Sequence, residues 1–286
     1  MKKRHIPFLF LLAAVLFLGG MVTQRHFGLA VLVKWIVPPQ AEAPPPPPKP
    51  PGIRPEHQGK LAIFILAGQS NMEGDGRMED CTPIDTDGRV YVFDETYTWV
   101  EGREPVRNRP GPSIAFAKAL IDRDTGIVVG IINVALGGTG ILQWQKSLDD
   151  HSLYQNMIKR ALAAGPQGEL MGLLFYQGET EALGYTAEYD TWDTHFVQFV
   201  QDARHDLGQP ELPVVFARVI PRKDLYWKNV RARQERVKLD RAVMVSTDDI
   251  GHMQRDNLHF TSKGYAELGK RLGEAYVRHF MTVPSH

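Results

Sequence analysis

The sequence predicts an α/β fold in which helices cover both faces of a parallel sheet. Five apolar runs of strand length alternate along the chain with segments whose apolar residues recur at helical spacing. Short apolar runs without polar alternation are typical of the buried strands of a parallel sheet. The alternation of strand and helix indicates crossovers that return each strand parallel to the previous one. The predicted strands are 61–67, 127–134, 171–176, 213–220 and 242–246.

Three segments between the later strands predict helices. Residues 153–162 keep a helical period and end before Gly165, and residues 189–207 do the same before Gly208, which is a common residue at helix ends. The aromatic residues of the second helix are spaced so that they face the sheet rather than line a site. The highly charged segment 225–241 predicts a helix with a solvated face.

One segment, residues 74–112, departs from the alternation. Within it, 90–93 and 97–100 predict a small β-hairpin that turns at 94–96. Because this insertion directly follows the first strand, we expect it to overhang the site and contact substrate, or to decorate the surface. The sequence leaves its role open.

The N-terminus carries a targeting segment, residues 1–37, in which a basic flank precedes the apolar stretch 6–22. This stretch suits a signal anchor, and a cleaved signal peptide is the alternative. The proline-rich residues 38–57 predict a stiff linker, and residues 58–284 predict one catalytic domain. We therefore expect an exported domain tethered to the membrane, which makes the membrane a partner of the N-terminal segment.

Composition excludes several classes of protein. The 286 residues contain 33 basic and 33 acidic side chains, so no basic excess supports nucleic-acid binding. Cys81 is the one cysteine of the chain, which excludes an internal disulfide. No cluster of cysteine and histidine predicts a metal site, and the glycine-rich segments lack the spacing of phosphate or dinucleotide loops. We expect neither a metal nor a cofactor.

Two short motifs suggest a serine hydrolase. Ser70 lies just past the carboxyl end of the first predicted strand, where open α/β sheets bind their ligands. Beyond the last strand, His259 has Asp256 three residues before it, close enough to orient the imidazole. Each residue alone is also common in turns. Together they predict a nucleophile, its base and the acid that orients the base.

Two further strand ends carry groups that could stabilise an oxyanion. Gly137 to Gly140 include three glycines after the second strand, where backbone N–H groups can approach a negative charge. Gln177 follows the third strand, and its amide could donate to the same oxygen. A tight turn would also explain the glycines.

Taken together, these motifs resemble the conserved blocks of the SGNH hydrolase superfamily, and specifically its sialate O-acetylesterase and acetyl xylan esterase branch, family six of the carbohydrate esterases. The resemblance covers nearly all of 61–280. It implies a three-layer α/β/α sandwich with a flavodoxin-like sheet and metal-free removal of O-acetyl groups. The blocks that carry it are 68–72, 135–139 with Trp144, 176–179, and 256–260 with Gly264.

The resemblance also assigns roles to individual residues. Ser70 becomes the nucleophile, His259 the base and Asp256 its partner. The Ser70 N–H, Gly137 and the Gln177 side chain form the oxyanion hole, with Gly138 as a close second. Three other motif residues, Gln69, Asn71 and Glu179, are expected to support the site or contact substrate, and the same role is open to Gly138.

The predicted function is hydrolysis of acetyl esters on a carbohydrate through an acetyl-enzyme intermediate. An extracytoplasmic carbohydrate O-acetyltransferase is one alternative, since a second sugar could replace water as acceptor. A catalytically inactive carbohydrate-binding protein is another. The sequence leaves open which sugar is the substrate and which oligomeric state the protein adopts.

Overall fold

The computed structural model of the protein describes residues 52–281. The predicted targeting segment 1–37, most of the linker 38–57 and the end of the predicted domain 58–284 lie outside them. The three domain boundaries and the membrane location therefore stay predictions. Within residues 52–281, no helix is both long and apolar enough to span a membrane.

Seven strands and seven α-helices follow one another in this part of the chain. Short 3₁₀ turns connect several of them. In chain order the elements are β1 (Leu61–Gly68), α1 (Ser70–Glu73), β2 (Val90–Phe93), β3 (Trp99–Glu101), α2 (Ser113–Arg123), β4 (Val128–Asn133), α3 (Leu153–Ala164), β5 (Gly168–Tyr176), α4 (Glu179–Ala182), α5 (Trp192–Asp206), β6 (Val214–Ala217), α6 (Leu225–Arg236), β7 (Ala242–Val245) and α7 (Ser262–Phe280).

The strands form one sheet in the order β3-β2-β4-β1-β5-β6-β7. All pairings are parallel except that of β2 with β3. Counted along the chain, β4-β1-β5-β6-β7 has the flavodoxin-like order 2-1-3-4-5, which confirms the predicted fold class. The chain leaves β1 toward β4 on one side and returns to β5 on the other. The crevice where ligands bind in such sheets therefore opens at the carboxyl end of β1.

The predicted hairpin in the 74–112 insertion is confirmed, and it extends the central sheet. Strand β2 pairs in parallel with β4, and β3 closes that edge by pairing antiparallel with β2. The second strand of the hairpin was predicted to begin at Tyr97, but it begins at Trp99. Tyr97 has a φ of 59°, which is a turn conformation that cannot continue a strand.

Aromatic residues fill the core on both faces of the sheet. On one face Phe64 of β1 packs edge-on against Phe116 of α2 and Tyr276 of α7. On the other face Phe175 of β5 packs against Phe196 of α5. The sheet-facing position of the aromatic residues of α5 is confirmed, since three of them are buried there, Trp192, Phe196 and Phe199.

Helix α6 is shorter than predicted and is less solvated. It ends at Arg236 instead of residue 241, because Val237 leaves the helix with extended backbone and the chain must turn into β7. One stripe of the helix is buried, including Trp227 and Val230. The charged residues occupy its remaining faces.

Two glycines allow α7 to approach α2 closely. A Cβ added at Gly269 would lie 2.2 Å from the carbonyl oxygen of Pro112, and one added at Gly273 would lie 2.6 Å from the Cβ of Ala119. Because glycines four residues apart lie on one helix face, together they form the groove into which α2 packs. Larger residues at these positions would separate the two helices.

We therefore expect Gly269→Ala to destabilise the protein by at least about 1–3 kcal/mol, the usual cost of overpacking a core. Chemical denaturation monitored by circular dichroism measures the change. Gly251→Ala is the matched control, because an added Cβ there meets nothing within 4 Å. Equal stability of the two variants would contradict the packing role of Gly269.

Candidate active site

Ser70 is placed by a sharp turn between β1 and α1. Gly68 has a φ of +130°, and a Cβ at this position would lie 2.1 Å from the carbonyl oxygen of Tyr176 on β5. Glycine is thus required both by the backbone conformation and by the close approach of the two strands. Ser70 is the first residue of α1, so its N–H has no carbonyl of that helix to bond with.

The structure brings the three predicted catalytic residues together. Ser70 Oγ lies 2.9 Å from His259 Nε2, although the residues are 189 positions apart in the chain. His259 Nδ1 lies 2.7 Å from Asp256 Oδ2. With a proton on Nδ1, the ring donates to the carboxylate and leaves Nε2 free to accept from the Ser70 hydroxyl.

Asp256 is held in place by the turn that carries it. Its Oδ1 accepts from the N–H groups of Leu258 and His259 at 2.9 and 3.0 Å, and Asn257, which follows Asp256, has a φ of 53°. Burial opposes ionisation of the carboxyl, but the hydrogen bonds from the His259 ring and the two N–H groups lower its pKa below the usual value. Asp256 is therefore a carboxylate at neutral pH.

Asn71 and Glu179 lie beneath the nucleophile and are fully buried. Asn71 Nδ2 donates to Glu179 Oε1 at 2.7 Å and to the carbonyl of Leu258 at 3.1 Å, while Asn71 Oδ1 accepts from the Tyr265 hydroxyl at 3.0 Å. Burial raises the pKa of Glu179 to about 7. The positions of Asn71 and Glu179 fit support of the site better than contact with a substrate.

Gln177 has its side-chain amide directed at protein groups. Its Nε2 lies 2.5 Å from Glu181 Oε2, 3.1 Å from the carbonyl of Thr139 and 3.2 Å from Gln69 Oε1. Its Oε1 accepts from the indole N–H of Trp192 at 2.7 Å. Both hydrogens of the amide therefore have acceptors in this structure. The role of Gln177 as an oxyanion donor stays a prediction.

Gln69 connects the turn of the nucleophile to the strand end of β5. The side chain is buried, and its Oε1 accepts from the N–H groups of Gly178 and Thr180 at 3.4 and 3.3 Å. With the bond from Gln177 Nε2, this oxygen accepts three long hydrogen bonds. Each is weak at such a distance, and together they orient the Gln69 side chain. Gln69 therefore supports the geometry at Ser70 from below.

The backbone N–H of Gly137 lies beside Ser70 but already has an acceptor. It donates to Glu73 Oε2 at 2.7 Å. A Cβ added at Gly137 would lie 3.5 Å from the Cβ of Ser70, so the two residues are in contact distance. Gly138 next to it has a φ of +75° and open space around its Cα. Position alone thus favours Gly137 over Gly138 as a donor to an oxyanion formed at Ser70.

Sequence reasoning missed two carboxylates at this site, those of Glu73 and Asp75. Asp75 Oδ2 lies 3.7 Å from His259 Nδ1 and pairs with Arg109. Glu73 Oε1 lies 3.1 Å from Arg107 Nη1. The charged stretch after Ser70 was the only available signal. Its pairing with arginines 34 residues away along the chain depends on how the insertion folds.

The 74–112 insertion contributes residues to two cavities of the structure. One cavity of about 290 Å³ lies beside β2, and a second of about 630 Å³ lies beside Asp75. Asn108 lines both. Neither cavity is lined by Ser70, His259 or Asp256. The second cavity borders the site through Asp75, whose Oδ2 lies 3.7 Å from His259 Nδ1. Within residues 52–281, no group of three or more potential metal ligands converges on one point.

Comparison with known proteins finds similarity to carbohydrate esterases. The family model described as carbohydrate esterase, sialic acid-specific acetylesterase, matches residues 60–278. A protein of Arabidopsis thaliana named "Probable carbohydrate esterase" is 29% identical over 257 residues, which cover 79% of this chain and 95% of that protein.

Solved structures share the fold. The crystal structure of an Arabidopsis thaliana protein has a TM-score of 0.66 at 28% identity and covers 76% of this chain and 98% of its own. A carbohydrate acetylesterase from Xanthomonas citri has a TM-score of 0.60 at 22% identity and covers 76% of this chain and 56% of its own. Because the family model spans most of the chain, the protein belongs to this carbohydrate esterase family and is a carboxylic ester hydrolase.

Proposed function

We propose that the protein removes O-acetyl groups from an acetylated carbohydrate through Ser70, His259 and Asp256. The observation that carries the proposal is the unbroken chain of hydrogen bonds from the Ser70 hydroxyl through the imidazole to the carboxylate, at 2.9 and 2.7 Å. The family description supports an acetyl ester on a sugar as the substrate. Assignment to family six of the carbohydrate esterases rests on the motif resemblance.

In this mechanism Ser70 Oγ attacks the acetyl carbonyl while His259 Nε2 takes the hydroxyl proton. The negative oxygen of the tetrahedral intermediate accepts from the N–H groups of Ser70 and Gly137. Collapse breaks the bond to the sugar oxygen, which leaves with the proton from His259. Water then attacks the acetyl-enzyme, again deprotonated by His259, and acetate is released.

The Asp256 carboxylate stabilises the imidazolium that forms at His259 in both steps. Its pKa is held low by hydrogen bonds, so it stays charged when His259 takes the proton. The carboxylate also selects the tautomer in which Nε2 faces Ser70. An inactive carbohydrate-binding protein would have no use for this arrangement. An acetyltransferase would use the same residues with a second sugar in place of water.

The first test is Ser70→Ala, with acetate release from 4-nitrophenyl acetate and from acetylated glycans as the measurement. We expect turnover to fall by about 10⁶, because loss of the nucleophile abolishes triad catalysis. Added unacetylated sugars report any transfer to an acceptor. Transferred acetyl groups in excess of free acetate would favour the transferase.

Ser246→Ala is the matched control for this test. Ser246 directly follows β7 at the same edge of the sheet, but its hydroxyl lies near Arg218 and the N–H of Asp248 rather than near a histidine. We expect this variant to keep wild-type turnover. More than a per cent of wild-type activity in Ser70→Ala would remove Ser70 as the nucleophile.

The second test concerns Gln177. Since its amide bonds four buried groups, we expect Gln177→Ala to lower the melting temperature by several degrees, because each unpaired buried group costs about 1–3 kcal/mol. Thermal unfolding and initial rates are measured together. An unchanged melting temperature with turnover reduced by about 10²–10³ would instead establish Gln177 as an oxyanion donor.

The third test concerns Glu179. Because burial raises the pKa of this carboxyl to about 7 from its ordinary 4.5, the folded protein holds the proton more tightly than the unfolded chain. The stability that the neutral carboxyl contributes is complete below pH 4.5 and is lost as the pH rises through 7. A shift of this size corresponds to about 3 kcal/mol.

We therefore expect Glu179→Gln, which keeps an acceptor for Asn71, to lose less stability than the wild type between pH 5 and 8. Denaturation at a series of pH values measures the difference. Glu104, whose pKa burial also raises to about 7, is present in both proteins and cancels. Parallel curves for the two proteins would show that Glu179 is not the group that titrates.

A further inference from the structure

The carboxylate of Glu73 accepts a hydrogen bond from the N–H of Gly137. The proposed mechanism needs the same N–H as a donor to the oxyanion. Glu73 Oε2 accepts from the N–H of Gly137 at 2.7 Å, a distance typical of a charge-assisted bond. A Cβ added at Gly137 would be 3.3 Å from that oxygen and 3.5 Å from the Cβ of Ser70. A negative oxygen therefore stands beside the nucleophile before any substrate arrives.

Arg107 holds this carboxylate from the other side. Its Nη1 lies 3.1 Å from Glu73 Oε1 and donates to the carbonyl of Ala135 at 2.6 Å, and its Nη2 donates to Glu95 Oε1 at 2.7 Å. The guanidinium thereby connects the nucleophile helix, the glycine loop after β4 and the turn of the β2–β3 hairpin. Because Arg107 stays within reach, Glu73 can leave Gly137 without losing its counter-charge.

One N–H group cannot serve two anionic oxygens at full strength. When the acetyl carbonyl of a substrate becomes negative at Ser70, its oxygen and the Glu73 carboxylate require the same Gly137 N–H. Two negative oxygens that approach the same N–H also repel each other. Substrate and Glu73 must therefore exchange places for the oxyanion to gain this donor.

We propose that the Glu73 carboxylate competes with the oxyanion of the substrate for the N–H of Gly137. This proposal rests on the proposed function. Binding of the ester displaces the Glu73 carboxylate toward Arg107, and release of product lets it return. Acetate, the product, is itself a carboxylate and would bind the same N–H. Glu73 thus disfavours rebinding of acetate, while it also weakens the binding of ester. Glu73 therefore favours sugar esters over smaller esters. The other contacts of a sugar ester supply the binding energy that displaces the Glu73 carboxylate.

The experiment compares Glu73→Ala and Glu73→Gln with the wild type. For 4-nitrophenyl acetate, which has few contacts to offer, we expect Glu73→Ala to raise kcat/KM about tenfold. Inhibition by sodium acetate, at constant ionic strength, should strengthen about tenfold as well. Glu73→Gln keeps the size and an acceptor but removes the charge, so both quantities should fall between those of the other two proteins.

Glu95→Ala is the matched control. It removes a carboxylate from the same guanidinium at an exposed position that has no contact with Gly137. We expect its kcat/KM and its acetate inhibition to stay within about twofold of the wild type, because the effect of Glu73 comes from the shared N–H and not from charge in general. Melting temperatures of all variants show whether each is folded.

Several outcomes would overturn the inference. Unchanged kcat/KM and unchanged acetate inhibition in both Glu73 variants would show that the carboxylate does not compete. A gain in Glu73→Ala with Glu73→Gln equal to the wild type would be a steric effect. A loss of kcat in both would make Glu73 a contributor to catalysis. Ser70→Ala separates this test from that of the function, since substantial activity without Ser70 would remove the mechanism itself.

Discussion

The geometry of the active site depends on the hydrogen bonds of one buried amide, the side chain of Asn71. One N–H of the amide donates to Glu179, the first residue of α4, and the other donates to the carbonyl of Leu258 in the loop before α7. Asn71 adjoins Ser70, and Leu258 adjoins His259. The amide therefore sets the separation of Ser70 and His259 across three segments. Buried polar networks of this kind are rigid, because any unpaired member loses its full hydrogen-bond energy.

A second polar layer lies on the other side of the nucleophile turn. Gln177 bonds Gln69, Glu181 and the carbonyl of Thr139, so that the ends of β1 and β5 and the glycine loop after β4 share one network. Burial raises the pKa of Glu181, as it does for Glu179. Two buried carboxyls whose pKa is raised thus lie under a site in which hydrogen bonds lower the pKa of Asp256. Desolvation raises the pKa of the two buried acids, whereas at Asp256 the hydrogen bonds outweigh it.

Two acidic residues that follow Ser70 pair with two arginines of the 74–112 insertion. Glu73 reaches Gly137 and Arg107, while Asp75 lies near His259 and pairs with Arg109. Glu73 and Asp75 therefore each have an arginine partner, which keeps the local charge near balance. The insertion thus takes part in the electrostatics around Ser70 and His259.

The sequence by itself determined the strands, the aromatic stripe of α5 and the local turn in which Asp256 orients His259, because these depend on neighbours a few residues apart. It misjudged the starts of β3 and α5 and the ends of β6 and α6, because in each case the sequence pattern extends beyond the residues that keep the regular backbone. Only the tertiary structure decided that Ser70 meets His259, that the amide of Gln177 bonds its neighbours and that Glu73 takes the N–H of Gly137. These contacts join distant segments, and a hydrogen bond depends on tenths of an ångström that only the packing of whole elements sets.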